Sequence, residues 1–355
     1  MEELLIGNLR IPVPIIQGGM GVGISLSNLA SSVANEGGVG VISSAGLGLL
    51  YRKYSQNFTE ASNYGLAEEI RKAREKTKGI IGVNIMVAMT NFAETVKTAI
   101  AEKIDIIFSG AGLPLDLPSF LDESSTTKLV PIVSSGRAAK LICDKWKNHY
   151  DYLPDAIVVE GPKAGGHLGF KLNQIDLPEF SLQVLVKEVL NEIKKIEIKF
   201  NKKIPVIAAG GIYTGCDIKE MLELGASGVQ MGTRFVTTEE CDASIEFKNS
   251  YIDSKKEDIE IIKSPVGMPG RAIINDFLIK VKEGKKHPSN CPFKCIKTCD
   301  VNNSDYCIIS ALYNAYTGNL KSGFSFAGAN AYLAEKINTV KDVFDSLKKE
   351  YTECV

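Results

Sequence analysis

Short runs of consecutive apolar residues, many of them β-branched, alternate along the chain with stretches that repeat an apolar residue about every 3.6 positions. Continuous apolar runs are typical of strands that are covered on both faces, as in a parallel sheet. The amphipathic stretches predict helices between them. Strands are predicted at 14–17, 39–43, 80–86, 104–109, 129–133, 156–160, 205–208 and 228–231, and helices at 27–35, 66–77, 92–101, 137–147, 182–200 and 216–224.

This alternation predicts an α/β fold. Eight strand–helix units in about 230 residues match a (β/α)8 TIM barrel better than an open doubly wound sheet. The patterns for the fourth and eighth barrel helices are weak. After Thr238 the alternation ends, and a charged stretch, a cysteine-rich run and a final helical region at 330–349 follow. We therefore expect a barrel over residues 1–240 and a C-terminal extension over 241–355, a partly helical lobe that covers one mouth of the barrel.

Charge and composition exclude several classes of protein. Lys and Arg total 41 against 42 Asp and Glu, a formal charge of −1, so no general field attracts nucleic acid or an anionic membrane. The acidic start lacks a signal-peptide pattern, and no window approaches the ~20 apolar residues of a membrane span. We expect a cytoplasmic protein with no nucleic-acid or membrane partner. Most of the eight cysteines are expected to be reduced thiols.

Glycine is abundant, with 32 residues, and it concentrates directly after predicted strands, where a barrel carries its chemistry. The loop after the first strand would let backbone approach a planar or anionic ligand, although an ordinary tight turn is the alternative. The loops after strands seven and eight predict a phosphate site, with close helix–strand packing as the alternative. The residues concerned are Gly18, Gly19, Met20, Gly21, Gly210, Gly211, Gln230, Met231, Gly232 and Thr233.

Two polar side chains join these loops. His167 lies in a glycine-rich loop after the sixth strand, where it could move a proton at an acidic carbon, and a structural histidine is the alternative. Asn84 ends the third strand, where its carboxamide can both donate and accept. The other histidines, His149 and His287, are predicted to lie on the surface. Small residues at 109–112 and 134–136 offer room for a flat ligand.

Four cysteines lie close together in the chain, at Cys291, Cys295, Cys299 and Cys307. Spacings of four would align the first three on one helical face, which suggests a zinc or iron–sulfur site. Such sites usually pair cysteines at C-x2-C or C-x4-C spacings, which are absent here. From this spacing we therefore predict that the four cysteines are buried apolar thiols and that they form no metal site.

In their order along the chain, six segments resemble a known family. They are PIIQGGMG at 14–21, GVN at 82–84, SGAG at 109–112, 160–167 with its Glu-Gly start and His end, AGGI at 209–212 and QMGTRF at 230–235. Together they resemble the FMN-dependent nitronate monooxygenases, formerly 2-nitropropane dioxygenases, and the related FMN-containing enoyl-[acyl-carrier-protein] reductases. The resemblance extends over about residues 5–280. Two features depart from it, Lys163 in place of a Glu or an apolar residue and the four-cysteine segment.

The resemblance implies an FMN cofactor and a catalytic His167. It implies that the flavin ring lies along the first glycine loop, that Asn84 bonds the flavin, and that the loops after strands seven and eight hold its phosphate. The residues that we assign to FMN are Gly18, Gly19, Met20, Gly21, Asn84, Glu160, Gly166, Gly210, Gly211, Gln230, Met231, Gly232 and Thr233.

The activity implied is oxidation of alkyl nitronates with O2 to a carbonyl compound and nitrite. The alternative is an NAD(P)H-dependent enoyl-[acyl-carrier-protein] or quinone reductase, which the segment 264–271 also resembles. A flavin-binding regulatory protein without turnover and a barrel that binds a sugar or nucleotide phosphate stay open. The expected partners are a small-molecule substrate and either O2 or NAD(P)H, and a homodimer is one possible assembly.

Overall fold

Eight parallel strands form a barrel, as the alternating pattern predicts. The computed structural model describes residues 1–288 and 290–354. Its strands in chain order are β1 (Leu4–Ile6), β2 (Leu9–Ile11), β3 (Ile15–Gln17), β4 (Gly40–Ser43), β5 (Ile81–Met86), β6 (Ile106–Gly110), β7 (Lys128–Val133), β8 (Ile157–Glu160), β9 (Gly166–His167), β10 (Val206–Ala209), β11 (Gly228–Met231), β12 (Ile259–Lys263) and β13 (Pro269–Ile273). The barrel order is β3-β11-β10-β8-β7-β6-β5-β4. The predicted TIM-barrel fold is confirmed.

The barrel closes between β3 and β4 through few backbone contacts. A single parallel bridge joins Ile16 to Val39, with Val39 N–H donating to Ile15 O at 3.0 Å and Gln17 N–H donating to Val39 O at 2.9 Å. The fully buried Gln17 carboxamide then continues the seam. Its Oε1 accepts from Val41 N–H at 3.0 Å and its Nε2 donates to Val41 O at 3.3 Å. The Gln17 side chain therefore supplies hydrogen bonds that the strand backbone supplies at the other junctions of the barrel.

The helices agree with the predicted amphipathic stretches. They are α1 (Ser27–Asn35), α2 (Leu47–Leu50), α3 (Phe58–Lys76), α4 (Phe92–Ala101), α5 (Gly136–Tyr150), α6 (Leu182–Phe200), α7 (Gly215–Glu223), α8 (Thr233–Val236), α9 (Ile245–Ile252), α10 (Asp276–Lys282), α11 (Ile308–Tyr316) and α12 (Val340–Glu353). Helix α3 begins earlier than predicted because Asn57 caps it, accepting from the Thr59 and Glu60 N–H groups at 2.9 and 3.2 Å.

The two weakly patterned barrel helices differ from the rest. A 3-10 turn, Leu117–Phe120, stands in the fourth position, and only the four-residue α8 follows β11. Helix α12, from the end of the chain, packs between α7 and α1 and completes the helical ring. A disulfide between Cys216 and Cys354 joins its end to α7. The predicted domain division at residue 240 stays a prediction, but α12 lies against the barrel wall.

The barrel interior is filled from one end. The β1–β2 hairpin packs Leu4, Ile6 and Ile11 against interior side chains that include Ile16 and Phe108. A second apolar layer lies between the strands and the helices. With that end plugged, the carboxyl ends of the strands are the place where a ligand can enter.

The extension forms a lobe on that open side. Strands β12, β13 and β9 form a three-stranded antiparallel sheet, so the loop after β8 pairs with a strand from residues 241–355. Phe277, Tyr306 and Phe324 pack edge to face or stacked in the core of the lobe. Within the described residues, every helix is too short or too polar to cross a bilayer.

The burial of α12 predicts that its apolar face stabilises the barrel. Leu347→Ala removes a fully buried side chain and should lower the free energy of unfolding by about 2–5 kcal/mol. The exposed neighbour Lys349→Ala should change it by less than about 0.5 kcal/mol. Urea unfolding followed by circular dichroism measures both, and equal effects of the two variants would contradict a structural role for α12 in the barrel.

Candidate active site

A cavity of about 270 Å³, here called the barrel cavity, lies at the carboxyl ends of the strands under the lobe. Every residue that the sequence assigns to FMN or to catalysis lines it. These residues are Gly18, Gly19, Met20, Gly21, Asn84, Glu160, Gly166, His167, Gly210, Gly211, Gln230, Met231, Gly232 and Thr233. The structure thus brings the predicted set together, and it supplies the geometry from which their roles are argued below.

Glycines form one wall of the barrel cavity because side chains would collide there. A Cβ on Gly19 would overlap the Asn84 side chain, and one on Gly21 would lie 2.8 Å from Ala45 Cβ. Gly210 and Gly211 have φ values of +94° and +92°, which L side chains rarely adopt. The wall is therefore bare backbone, to which the flat face of a ring can pack closely.

The other end of the barrel cavity presents free amides. Among the described residues, the N–H groups of Gly211, Gly232 and Thr233 donate to no other residue. Asn330 Nδ2 donates to Gly211 O at 2.7 Å, and Gly328 N–H donates to Thr233 Oγ1 at 3.1 Å. The lobe thereby holds both loops in place. Unpaired amides at the start of a short helix suit the oxygens of a phosphate.

His167 lies at the wall of the barrel cavity on β9. Its Nε2 lies 2.7 Å from Ser264 Oγ, and this hydroxyl also accepts from Val266 N–H at 3.3 Å. The Phe326 ring meets the imidazole edge to face, with centroids 5.0 Å apart. Burial lowers the pKa of His167 to about 4, because the cationic form loses hydration that nothing nearby replaces. The imidazole is therefore neutral at pH 7.

Arg271 holds the loop that carries His167. Its buried guanidinium donates to the carbonyl oxygens of Pro162 and, at 3.0 Å, Ala164. The backbone of β13 pairs with Gly166 and His167 at the same point. Burial lowers the pKa of Arg271, although a guanidinium stays charged at neutral pH. Arg271 is a positioning residue because it fixes the loop and does not line the barrel cavity.

Several polar side chains line the barrel cavity without partners among the described residues, and Glu160 and Asn84 are two of them. The Glu160 carboxyl makes no hydrogen bond to them, and burial raises its pKa to about 7. The Asn84 carboxamide likewise makes none, although the Asn84 backbone oxygen accepts from Ser44 Oγ at 2.8 Å. Both groups are half-buried and keep their hydrogen-bonding capacity for a ligand.

The lobe adds lining residues that sequence reasoning missed. They are Phe247, Tyr251, Leu312, Phe326, Ala327, Gly328, Ala329 and Asn330. The run 326–330 is rich in small residues, like the predicted loops, but it lies beyond the point where the alternation of strands and helices ends. Of the two predicted small-residue loops, Gly110 and Ala111 line the barrel cavity. The loop at 134–136 does not, because Ser135 caps α5, accepting from Ala138 N–H at 3.2 Å.

The comparisons with known proteins agree with this geometry. A model of the nitronate monooxygenase family matches residues 2–104 and 88–350. A Staphylococcus aureus protein named "Probable nitronate monooxygenase" is 28% identical over 311 residues, covering 78% of this chain and 79% of that protein. Among solved structures, FabK from Thermotoga maritima superimposes with a TM-score of 0.74 at 28% identity, covering 97% of this chain and 94% of FabK.

A third relative is named for a different reaction. It is the (3aS,4S,5R,7aS)-5-hydroxy-7a-methyl-1-oxo-octahydro-1H-indene-4-carboxyl-CoA dehydrogenase of Rhodococcus jostii, 27% identical over 265 residues. The match covers 75% of this chain and 64% of that protein, so the two differ in length. Since the family model spans nearly the whole chain, the conclusion does not depend on any one relative: this chain is an enzyme and belongs to the nitronate monooxygenase family of FMN-dependent oxidoreductases.

Proposed function

We propose that this enzyme oxidises alkyl nitronates with O2 to a carbonyl compound and nitrite, with FMN bound in the barrel cavity. The observation that carries the proposal is the neutral imidazole of His167 at the wall of that cavity. At that pKa the imidazole is unprotonated at neutral pH, so its nitrogen is free to accept a proton and the ring is not a cationic proton donor. The family membership and the Staphylococcus aureus relative support the same reaction.

The residues of the barrel cavity fit FMN. The bare backbone at 18–21 would pack against the ring, and Asn84 and Glu160 would meet its polar edge. The free amides of Gly211, Gly232 and Thr233 would hold the phosphate. Bound there, FMN would supply the electron acceptor for the substrate and the reductant for O2.

On this proposal, His167 acts as a general base. A neutral imidazole can take the proton from the carbon next to a nitro group, which generates the nitronate inside the barrel cavity. The negative charge that develops next to the ring would raise the pKa of His167, so the proton is retained. The Ser264 hydroxyl fixes the ring through Nε2, and Arg271 fixes the backbone beneath it.

A reductase is the second candidate, favoured by Glu160. A carboxyl whose pKa is about 7 is partly protonated at neutral pH, so it could deliver a proton next to a reduced carbon, which His167 could not. FabK, an enoyl-[acyl-carrier-protein] reductase, and the Rhodococcus relative named for a CoA thioester support a thioester substrate with NAD(P)H as donor. A quinone as acceptor stays a further prediction, as do the homodimer and the cytoplasmic location.

Anaerobic reduction separates the two candidates. The purified protein should show a flavin spectrum. Under argon, an alkyl nitronate should bleach this spectrum at a rate at least equal to kcat. NADH and NADPH should leave it oxidised. Rapid bleaching by a nicotinamide, with slow bleaching by nitronate, would replace the first candidate with the reductase. A protein that binds no FMN even after reconstitution would exclude both.

Replacing the imidazole tests the role of His167. His167→Ala should lower kcat/KM for a neutral nitroalkane by about 10²–10⁴-fold and affect a preformed nitronate less, because the nitronate needs no base. In the wild type, kcat/KM should fall only as pH drops through about 4, where the ring becomes protonated. His149→Ala, on the exposed side of α5, is the control. An acidic limb near the ordinary histidine pKa, or full activity in the His167 variant, would contradict the assignment.

Glu160→Gln tests whether this carboxyl is buried without a partner. Because the folded pKa of about 7 lies above the ordinary glutamate pKa of about 4.5, the folded chain holds a proton that the unfolded chain releases. Wild-type stability should therefore fall as pH rises from 4.5 through 7. Without FMN, Glu160→Gln should be more stable than wild type by up to about 3 kcal/mol at pH 8 and by under about 1 kcal/mol at pH 5.

The control for this comparison is Glu75→Gln on the exposed side of α3, which should show no such dependence. Urea unfolding at the two pH values measures the differences. If Glu160→Gln and wild type lose stability in parallel between pH 5 and pH 8, the carboxyl has a partner that keeps its pKa ordinary, and its role as proton donor fails with it.

A further inference from the structure

A second cavity in the lobe is lined by all four clustered cysteines. This cysteine cavity, of about 300 Å³, is bordered by Cys291, Cys295, Cys299 and Cys307, and by Lys294, Lys297 and Tyr306 among others. None of the four cysteines belongs to the disulfide. The spacing of these cysteines in the sequence favours buried apolar thiols. The structure adds that all four line one hollow, which the spacing does not show.

Two of the four thiol sulfurs already accept hydrogen bonds, which would also stabilise the thiolate form. The Lys294 N–H donates to Cys291 Sγ at 3.3 Å, and the Ser310 hydroxyl donates to Cys307 Sγ at 3.3 Å. Cys307 is also the N-cap of the nine-residue α11, whose free amides favour negative charge. Hydrogen bonds to the sulfurs are one of the means by which proteins tune iron–sulfur clusters.

One buried polar group on the cysteine cavity has no partner within the fold. The Tyr306 hydroxyl is buried and makes no hydrogen bond to the described residues. The Cys295 thiol, on the same cavity, is also buried and free. A ligand that binds the thiol and accepts a hydrogen bond from the hydroxyl would satisfy this group.

The distance between the thiols distinguishes a zinc site from an iron–sulfur site. A zinc ion holds its thiolates at about 2.3 Å and so draws four sulfurs tightly together. In the part of the chain that the structure describes, no three His, Cys, Asp or Glu side chains are close enough to hold one ion. An iron–sulfur cubane takes one thiolate at each of its four irons and so needs four sulfurs spread around a hollow. Lys294, which also borders the hollow, would offset part of its negative charge.

We propose that the cysteine cavity binds a [4Fe–4S] cluster through Cys291, Cys295, Cys299 and Cys307. The evidence is four free thiols that line one hollow, hydrogen-bond donors to two of them, an unpartnered tyrosine hydroxyl, and the Lys294 side chain on the lining. This site is separate from the barrel cavity and does not depend on the reaction proposed there.

The cysteine cavity is anchored to the barrel beside the FMN residues. Thr90 N–H donates to Cys295 O at 3.1 Å and Lys297 N–H donates to Ala88 O at 2.9 Å, so the loop after β5 holds the cysteine segment. Strand β5 carries Asn84 at the barrel cavity. Val22 lines the barrel cavity and packs in the same apolar cluster as Cys295. The two cavities are thus bordered by residues of one apolar cluster.

Anaerobic expression and purification of the full chain test the proposal. Iron and acid-labile sulfide should each be present at about four per chain, and dithionite reduction should give an electron paramagnetic resonance signal distinct from that of a flavin radical. Protein purified in air should regain both elements on incubation with ferrous iron, sulfide and a thiol reductant under argon. Zinc without sulfide, or folded protein that takes up neither iron nor sulfide, would overturn the proposal.

Serine variants show whether the thiols are the ligands. Cys291→Ser and Cys299→Ser, at half-buried positions, should each lower the iron and sulfide content at least several-fold. Cys143→Ser, a free buried cysteine on α5 far along the chain, should leave both contents unchanged. Circular dichroism and FMN content, measured on the same samples, show that the variants are folded. Wild-type iron and sulfide in folded Cys291→Ser and Cys299→Ser variants would overturn the assignment of ligands.

Discussion

The seam between β3 and β4 is the constraint on which the site depends. Seven of the eight barrel junctions are paired strands, but this one rests on a single bridge and on the Gln17 carboxamide bonded to Val41. A buried carboxamide with both ends satisfied is strongly held, since breaking it would leave unpaired polar groups in the core. Closure here brings the glycine loop after β3 next to Asn84 on β5. An open sheet would separate them.

Closure also determines the electrostatics of the barrel cavity. The unpaired groups on the loops after β10 and β11 are uncharged backbone amides, and burial shifts two of the titratable lining residues, Glu160 and His167, toward their uncharged forms. The shifts are opposite in sign because the carboxyl and the imidazole carry opposite charges when ionised. Arg271 keeps its charge away from the ligand by bonding to carbonyl oxygens of the loop. The exposed Lys163 is a cationic side chain on the lining of the cavity, so the positive charge offered to an anionic ligand comes from this lysine and from the partial charges of the amides.

Much of the fold follows from local patterns. The eight strand positions, and the bounds of α1, α4 and α6, could be predicted because each element is buried on a face that its own sequence reveals. The position of α12 could not be predicted. Its amphipathic pattern shows that one face is buried, but it does not show which elements that face packs against. The same limit applies to His167: its loop was visible as a glycine-rich segment, whereas its partners Ser264 and Phe326 come from the lobe, roughly a hundred or more positions along the chain. Local sequence contains no information about such pairings.

The lobe is therefore more than a cover for the barrel cavity. It contacts the site at several points: β13 pairs with His167, Asn330 and Gly328 hold the loops after β10 and β11, and the cysteine segment holds the loop that follows β5. These contacts are hydrogen bonds between uncharged groups, so they fix positions and add no net charge. A change in the packing of the lobe would thus move several lining residues of the barrel cavity together. Because the lobe supplies part of the wall of the barrel cavity, its sequence bears on which substrate that cavity accepts.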